Sequence, residues 1–108
     1  TPADSVPVYT AMNDTAAALT FATTGYPSNF AEASIDEISM FNIELTAAQT
    51  LSIYNAGAPK SEASHTGLIG YWRNGDSGVY PVINDQSSNS NNGTMINMIS
   101  SDIETFTP

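Results

Sequence analysis

The stretch SIDEISMFNIELTAAQTLSIYNAG, residues 34–57, carries the two most regular patterns of the sequence, a strand followed by a helix. Its first part belongs to a longer run, residues 30–41, in which both alternating sets of positions contain apolar side chains. Such a run is typical of a strand that is central in its sheet and buried on both faces. We therefore predict a buried strand over residues 30–41.

The second part of the stretch predicts the chain's only helix, over residues 46–57. Thr46 is a suitable N-cap, and Gln49, three residues later, completes a capping box. Gly57 stands where a residue of left-handed conformation commonly ends a helix. The residues that share one face of this helix are Ala47, Leu51 and Tyr54.

Outward from this stretch, short apolar segments alternate with turn residues. The other candidate strands are residues 6–10, 19–22, 68–73, 80–84, 94–98 and 103–106. Short strands separated by turns, with one brief helix, predict an all-β antiparallel sandwich. The predicted organisation is strands and the helix over 1–57, a polar linker or loop over 58–66, and further strands over 67–108.

Charge and composition exclude several classes of function. The 108 residues carry a net charge of -9, and Lys60 and Arg73 are the only basic side chains. Binding to DNA or RNA requires a basic surface, so a nucleic-acid partner is not expected. No apolar run approaches the length that a membrane-spanning helix needs, so no membrane insertion is expected. Without cysteine, the chain forms no disulfide and no zinc-thiolate site.

Two blocks of the sequence resemble laminin G-like domains of the concanavalin A-like lectin/glucanase superfamily. Residues 34–57 resemble the late segment of such a domain, with its Ile-Asp-Glu strand and a short helix ending near Tyr-Asn. The segments GLIGYWRNGD, residues 67–76, and DQSSNSNNGT, residues 85–94, resemble the segment that opens one. The resemblance implies a jelly-roll sandwich, of the kind found in large surface proteins of aquatic phages and bacteria.

The order of the blocks departs from that pattern, because the late block precedes the opening block. Two arrangements fit this order. Either the chain holds the end of one domain and the start of the next, or it is a permuted domain whose last strands close its sheets. The chain is also shorter than a complete member of the family, so strands could be missing. Missing strands leave open sheet edges, to which a neighbouring subunit can add a strand.

The residues provide no catalytic set. Glycoside hydrolases occur in the superfamily and need two carboxyl groups that face one glycosidic bond. Asp36 and Glu37 are the best candidates, but adjacent residues of a strand face opposite sides of the sheet. The expected role of either carboxylate is instead a structural hydrogen bond to a neighbouring loop, as the resemblance implies. His65 is the only histidine and lies in the predicted linker. We therefore predict that the chain is not an enzyme.

Calcium is the one candidate cofactor, because the family often carries a calcium ion (Ca²⁺). Calcium prefers six to eight oxygen ligands from carboxylates, amides and carbonyls. The alternative is a turn region in which Asn and Ser side chains cap the backbone. The candidate ligands are Asp36, Asp76, Asp85, Asn89, Asn91 and Asn92.

Glycans are the second class of candidate partner. Sugars stack on aromatic rings, and the candidate rings are Tyr26, Trp72 and Tyr80. Trp72 lies within an apolar strand, which favours a place in the core over an exposed platform. Asn13 and Asn92 each begin an N-glycosylation pattern, although Asn92 with Gly93 also fits a tight turn between strands.

The sequence thus favours a non-catalytic structural or adhesive subunit of an extracellular fibre or a virion surface, such as a tail, a fibre or a capsid decoration. Its expected partners are copies of itself or neighbouring domains of the same assembly. The alternative is a carbohydrate-binding module of a larger secreted enzyme or adhesin. A row of exposed aromatic rings or a bound calcium ion would favour that alternative, whereas terminal strands paired with a neighbour would favour the first.

Overall fold

The computed structural model describes residues 16–23, 29–58, 60–75 and 78–104. The chain divides into two compact units, Thr1–Ala33 and Ser34–Pro108. In the first unit, Thr23 and Phe30 form an isolated antiparallel bridge, and the Ala31 amide donates to Ala22 O at 2.8 Å. The strand predicted over 19–22 is therefore wrong, and among the described residues of that region the only pairing is the single bridge at residue 23, directly after the predicted range. The strand predicted over 6–10 lies outside the described residues.

The second unit is built on strands β1 (Ile38–Phe41) and β2 (Leu68–Trp72), which pair antiparallel. β1 is shorter than the predicted run because Glu37 has φ 53°, a left-handed conformation that interrupts an extended chain. Its four residues are half-buried rather than fully buried. The strand predicted over 68–73 is confirmed to within one residue.

β2 is the central strand of this unit. Trp72 forms an antiparallel bridge with Asp85, and the Gln86 amide donates to Tyr71 O at 2.7 Å. Residues 85–86 therefore line the edge of β2 that faces away from β1. The indole of Trp72 covers Gly70, where a Cβ atom would collide with the ring.

A second small sheet consists of β3 (Val82–Ile83) and β4 (Gly93–Thr94), paired antiparallel. The Met95 amide extends the pairing by donating to Pro81 O at 2.8 Å. β3 lies inside the range predicted over 80–84, whereas β4 shares only Thr94 with the strand predicted over 94–98. Ser100–Asp102 forms a 3₁₀ turn, and residues 103–104 of the last predicted strand are not in a strand.

Among the described residues there is one α-helix, α1 (Ala47–Tyr54). Its predicted start is confirmed. The Gln49 amide donates to Thr46 Oγ1 at 3.2 Å, and the Thr46 amide donates to Gln49 Oε1 at 2.8 Å. The left-handed C-cap is Asn55 rather than Gly57, and a short 3₁₀ turn, Asn55–Gly57, follows. None of the described helices has the length and apolar character needed to cross a membrane.

The core of the described residues is small. Its buried apolar side chains are Tyr71, Trp72 and Met95, and the predicted apolar face of α1 is instead exposed, with Leu51 at 68% and Tyr54 at 63%. The chain thus has the predicted antiparallel pairing and short helix, arranged as two small two-stranded sheets. Hydrogen bonds, more than apolar contacts, must therefore hold the loops to β2.

Candidate functional site

The centre of the second unit is the pair Tyr71–Trp72 at the end of β2. Adjacent residues of a strand face opposite sides, so the two rings enter two different environments. Tyr71 is only 1% exposed and Trp72 is 9% exposed. Each ring contacts a polar network, one centred on Glu37 and the other on the loop that begins at Asp85.

The Glu37 network joins the beginning of β1 to β2. The Tyr71 hydroxyl donates to Glu37 Oε2, and Arg73 Nε donates to Glu37 Oε1 at 3.1 Å. Burial raises the pKa of the Tyr71 hydroxyl well above its usual value, and the hydrogen bond and the negative charge of Glu37 raise it further. The phenol is therefore a permanent hydrogen-bond donor. Glu37 has structural hydrogen bonds of the kind expected for it, although Tyr71 of β2 and Arg73 directly after β2 provide them rather than a neighbouring loop.

The Asp85 carboxylate accepts hydrogen bonds both from β2 and from the loop that follows Asp85. Asp85 Oδ1 accepts from the Tyr71 amide at 2.9 Å and the Ser87 amide at 2.8 Å. Oδ2 accepts from Ser87 Oγ at 2.8 Å and the Asn91 amide at 2.9 Å. Burial acts to raise the pKa of Asp85, but the hydrogen bonds from Ser87, Tyr71 and Asn91 outweigh it and lower that pKa overall.

The remaining polar residues of the loop also bind β2 or one another. Trp72 Nε1 donates to Asn91 O at 2.9 Å, and Asn89 Nδ2 donates to Ile69 O at 2.8 Å. Asn92 Oδ1 accepts from the Asp85 amide at 3.0 Å. The Asp-x-Ser-x-Asn-x-Asn-Asn spacing of residues 85–92 thus places hydrogen-bonding groups along the part of the loop that runs beside β2.

Four of the six candidate calcium ligands lie in this loop. Asp85, Asn89, Asn91 and Asn92 come together there, but the bonds above already occupy both Asp85 oxygens. Asp36 Oδ1 accepts from the Glu37 amide at 2.8 Å, and Asp76 lies outside the described residues. Within residues 16–23, 29–58, 60–75 and 78–104, no group of three or more acidic or histidine side chains could hold a metal ion. The arrangement matches the alternative of side chains that cap a turn, and calcium binding stays a prediction.

The sugar-binding candidates differ in their exposure. Trp72 is buried, with its indole nitrogen bonded to Asn91 O, so it offers no open face to a sugar. Tyr80 is half-exposed, and its hydroxyl donates to Met98 O at 2.9 Å. Tyr26 lies outside the described residues. Tyr80 is therefore the described candidate whose ring remains accessible.

Of the two glycosylation candidates, Asn13 lies outside the described residues. Asn92 is exposed, and its side-chain oxygen accepts a backbone hydrogen bond. Gly93 begins β4, so the tight turn expected at Asn92 and Gly93 is wrong, and the turn lies at residues 88–89.

The segment predicted as a polar linker, residues 58–66, contacts the sheet. His65 is half-buried and its ring packs edge-on against Phe41, with ring centroids 5.2 Å apart. Glu62 is buried, and its Oε1 has no hydrogen-bond partner. Neither the packing of His65 nor the burial of Glu62 is predictable from the sequence, because an isolated polar residue in an aperiodic segment carries no periodic signal of burial.

The role of Tyr71 was also missed, although a signal for it exists. Tyr71 and Arg73 are two residues apart in the segment predicted as a strand over 68–73, which places them on the same face. That spacing brings both donors to Glu37. The Glu37 carboxylate is thus neutralised by the Arg73 guanidinium and accepts from the Tyr71 hydroxyl, which keeps its proton. The set has a structural role, because it holds the residue before β1 against β2.

No protein-family model matches this chain, and comparisons with the curated proteins and with the solved structures found no similar protein. The resemblance to laminin G-like domains therefore stays a prediction.

Proposed function

We propose that this chain is a non-catalytic structural or adhesive subunit of an extracellular fibre or a virion surface. In this proposal, strands from neighbouring copies complete its sheets into a laminin G-like, jelly-roll sandwich. The observation that carries the proposal is the outer edge of β1, to which no strand pairs in the part of the chain that the structure describes.

The hydrogen-bond pattern identifies the groups at that edge. In an antiparallel pair, each residue directs both backbone polar groups either toward its partner or away from it. The Tyr71 amide donates to Asp85, and Tyr71 O accepts from Gln86, so both groups face away from β1. Ser39 lies opposite Tyr71 in the register. Its N–H and C=O therefore face away from β2, where an incoming strand can pair with them.

The pairing of the two sequence blocks supports a sandwich of the permuted type. β1 comes from the block that resembles the end of a laminin G-like domain, and β2 comes from the block that resembles its beginning. The two strands pair within one compact unit, Ser34–Pro108. This favours a single body over the end of one domain joined to the start of the next.

Light scattering on the purified chain tests the proposal when the wild type is compared with Ser39→Pro. Proline removes the outward N–H of Ser39 but leaves the β1–β2 hydrogen bonds in place. We expect the wild type to form assemblies far above 11.4 kDa, and Ser39→Pro to remain near that mass. Tryptophan fluorescence verifies that the Trp72 core still folds.

The matched control is Ala47→Pro, which places the same residue at the first position of α1. Proline is well tolerated there because that amide has no helical partner. This variant should assemble like the wild type. A wild-type monomer of 11.4 kDa that unfolds cooperatively would contradict the proposal, as would unchanged assembly of Ser39→Pro.

A carbohydrate-binding module is the second candidate, and the exposed ring of Tyr80 is the observation that favours it. This alternative predicts that a glycan array binds the wild-type chain and does not bind the Tyr80→Ala variant. Binding that persists in Tyr80→Ala would exclude this ring as the sugar platform.

A further inference from the structure

Residues 60–66 cross one face of the β1–β2 pair, and we call this segment the strap. Two contacts define its position. Lys60 O accepts from the Tyr71 hydroxyl at 3.4 Å, and the His65 ring packs edge-on against Phe41. The register of the two strands places the Tyr71 and Phe41 rings on the same face of the pair. The strap therefore covers that face.

Glu62 is the one strap residue that is buried, with 6% of its surface exposed. Its backbone adjoins the Tyr71 hydroxyl, but its side-chain atom Oε1 has no hydrogen-bond partner among the described residues. A carboxylate oxygen that is buried without a donor loses its hydration and gains no bond in return, so its burial is costly. The side chain that inserts the strap into the fold is thus one that water would stabilise.

The remaining hydrogen bonds of the strap are local or exposed. The His65 amide donates to Glu62 O at 2.9 Å, and the Leu68 amide donates to His65 O at 3.2 Å. Lys60 Nζ donates to Ser52 Oγ at 3.1 Å, and both of these side chains are exposed. Few buried apolar contacts and many exposed hydrogen bonds are typical of segments that open without global unfolding.

A glycine joins the strap to β2. Gly67 has φ 80°, a conformation that glycine adopts without strain. Its carbonyl accepts from the Asn42 amide at 2.9 Å, so this end of the strap is fixed to the residue directly after β1. Residues at the ends of elements commonly absorb the backbone rotation of a moving segment. The strap can therefore pivot at Gly67 while the two strands stay paired.

The other side of β2 is held independently of the strap. Trp72 faces the opposite side from Tyr71, and its Nε1 donates to Asn91 O at 2.9 Å. Asp85 binds the amide of Tyr71, which belongs to the backbone of the strand. Movement of the strap therefore leaves these bonds in place.

We propose that the strap is a conformational device that opens locally, releases Glu62 into solvent and uncovers the Tyr71 and Phe41 face of the β1–β2 pair. The buried Glu62 oxygen without a donor is the observation that carries this inference. The inference goes beyond the proposed assembly and does not depend on it, because every contact that it uses lies within one copy of the chain.

Hydrogen exchange of the full chain, followed by NMR at single amides, tests the device. In the wild type, we expect the His65 and Leu68 amides to be at least about tenfold less protected than the Gln86 amide, which bonds to β2. Glu62→Met replaces the carboxylate with an apolar side chain of similar length. Protection of the His65 and Leu68 amides should then rise by at least about tenfold, because no unpaired oxygen is buried.

Glu44→Met is the matched control, because Glu44 is exposed and the substitution removes the same charge. It should leave the protection of the His65 amide unchanged, and an equal rise in both variants would overturn the inference. Unchanged or lower protection in Glu62→Met would also overturn it, since the carboxylate would then not favour opening. Equal protection of the His65 and Gln86 amides in the wild type would mean that the strap opens only on global unfolding.

Trypsin provides a second measurement that needs no variant. Lys60 in the strap and Arg73 directly after β2 are the only basic residues, so they are the only two cleavage sites. Cleavage requires a locally unfolded segment, and its initial rate follows the population of the open form. We expect cleavage after Lys60 to be at least about tenfold faster than after Arg73 and less sensitive to urea, because local opening exposes less surface. Equal rates with equal urea dependence would contradict local opening.

Discussion

Tyr71 links the two carboxylates on which the centre of the second unit depends. Its amide donates to Asp85, and its hydroxyl donates to Glu37. Asp85 then binds the loop that follows it, and Glu37 binds Arg73, the residue directly after β2. One residue therefore connects the residue before β1, strand β2 and the loop that follows β3, and it is the most buried large side chain of the described residues.

At the residue scale, Asp85→Asn should make the chain less stable and less sensitive to acid. Near pH 7 we expect a loss of about 2–3 kcal/mol in unfolding free energy, because hydrogen bonds to a charged acceptor become weaker or unsatisfied. The folded state lowers the pKa of Asp85, so its carboxylate stabilises the fold fully above the unfolded value of about 3.9. That stabilisation is lost as the pH falls through the lower folded value.

Urea unfolding of the wild type and Asp85→Asn between about pH 7 and pH 2 measures this effect. The difference in stability between the two should shrink below about pH 4. Asp102→Asn is the control, since Asp102 is exposed and its carboxylate accepts from the Ile99 amide at 2.9 Å. A constant difference at all pH values would show that folding does not lower the pKa of Asp85, which would contradict this account.

At the scale of the element, the packing of β2 requires a residue without a side chain at Gly70. The indole of Trp72 lies over Gly70, two residues earlier on the same face. This close packing lets Trp72 Nε1 reach Asn91 O in the loop. The glycine therefore determines where the ring lies, and the ring determines where the loop is held.

Gly70→Ala should displace the indole and destabilise the chain. The new methyl group would collide with the ring, and overpacking of this kind typically costs about 1–3 kcal/mol. Thermal unfolding followed by Trp72 fluorescence measures the loss and reports any shift of the ring. Gly93→Ala is the matched control, because its Cβ atom would lie 3.7 Å from Ile83 Cβ, an ordinary contact distance. Equal stability of the two variants would contradict this account of Gly70.

At the scale of the whole molecule, the net charge of -9 opposes association, whereas exposed apolar surface favours it. Lys60 and Arg73 are the only basic residues, and each already has a partner, Ser52 Oγ for Lys60 and Glu37 for Arg73. In the proposed assembly, we therefore expect contacts between copies to depend on apolar surface and backbone hydrogen bonds rather than on ion pairs.

Self-association should accordingly strengthen with added salt. Raising NaCl from about 20 mM to about 500 mM shortens the screening length from tens of ångströms to a few, which suppresses repulsion between the acidic copies. Light scattering at several chain concentrations follows the shift toward larger mass. Potassium chloride should act like sodium chloride, since screening depends on ionic strength. Weaker association at high salt would instead indicate that opposite charges form the contact.

The features that the sequence predicted correctly depend on neighbours a few residues apart. The helix begins at Thr46 because Thr46 and Gln49 cap each other across three residues. β2 follows from a short apolar run bounded by turn residues. Net charge and the lack of cysteine are properties of composition, and they stay the same in any fold.

Longer-range features required the tertiary structure. Residues 30–41 appear continuous as a pattern, but the left-handed backbone of Glu37, where Tyr71 and Arg73 bind its side chain, limits the strand to Ile38–Phe41. The polar segment 58–66 packs against the sheet through His65. Sequence alone therefore determined the caps, the strand propensities and the charge, because those act locally. Only the tertiary structure decided which strands pair and which donors meet each carboxylate, because those partners lie many residues apart along the chain.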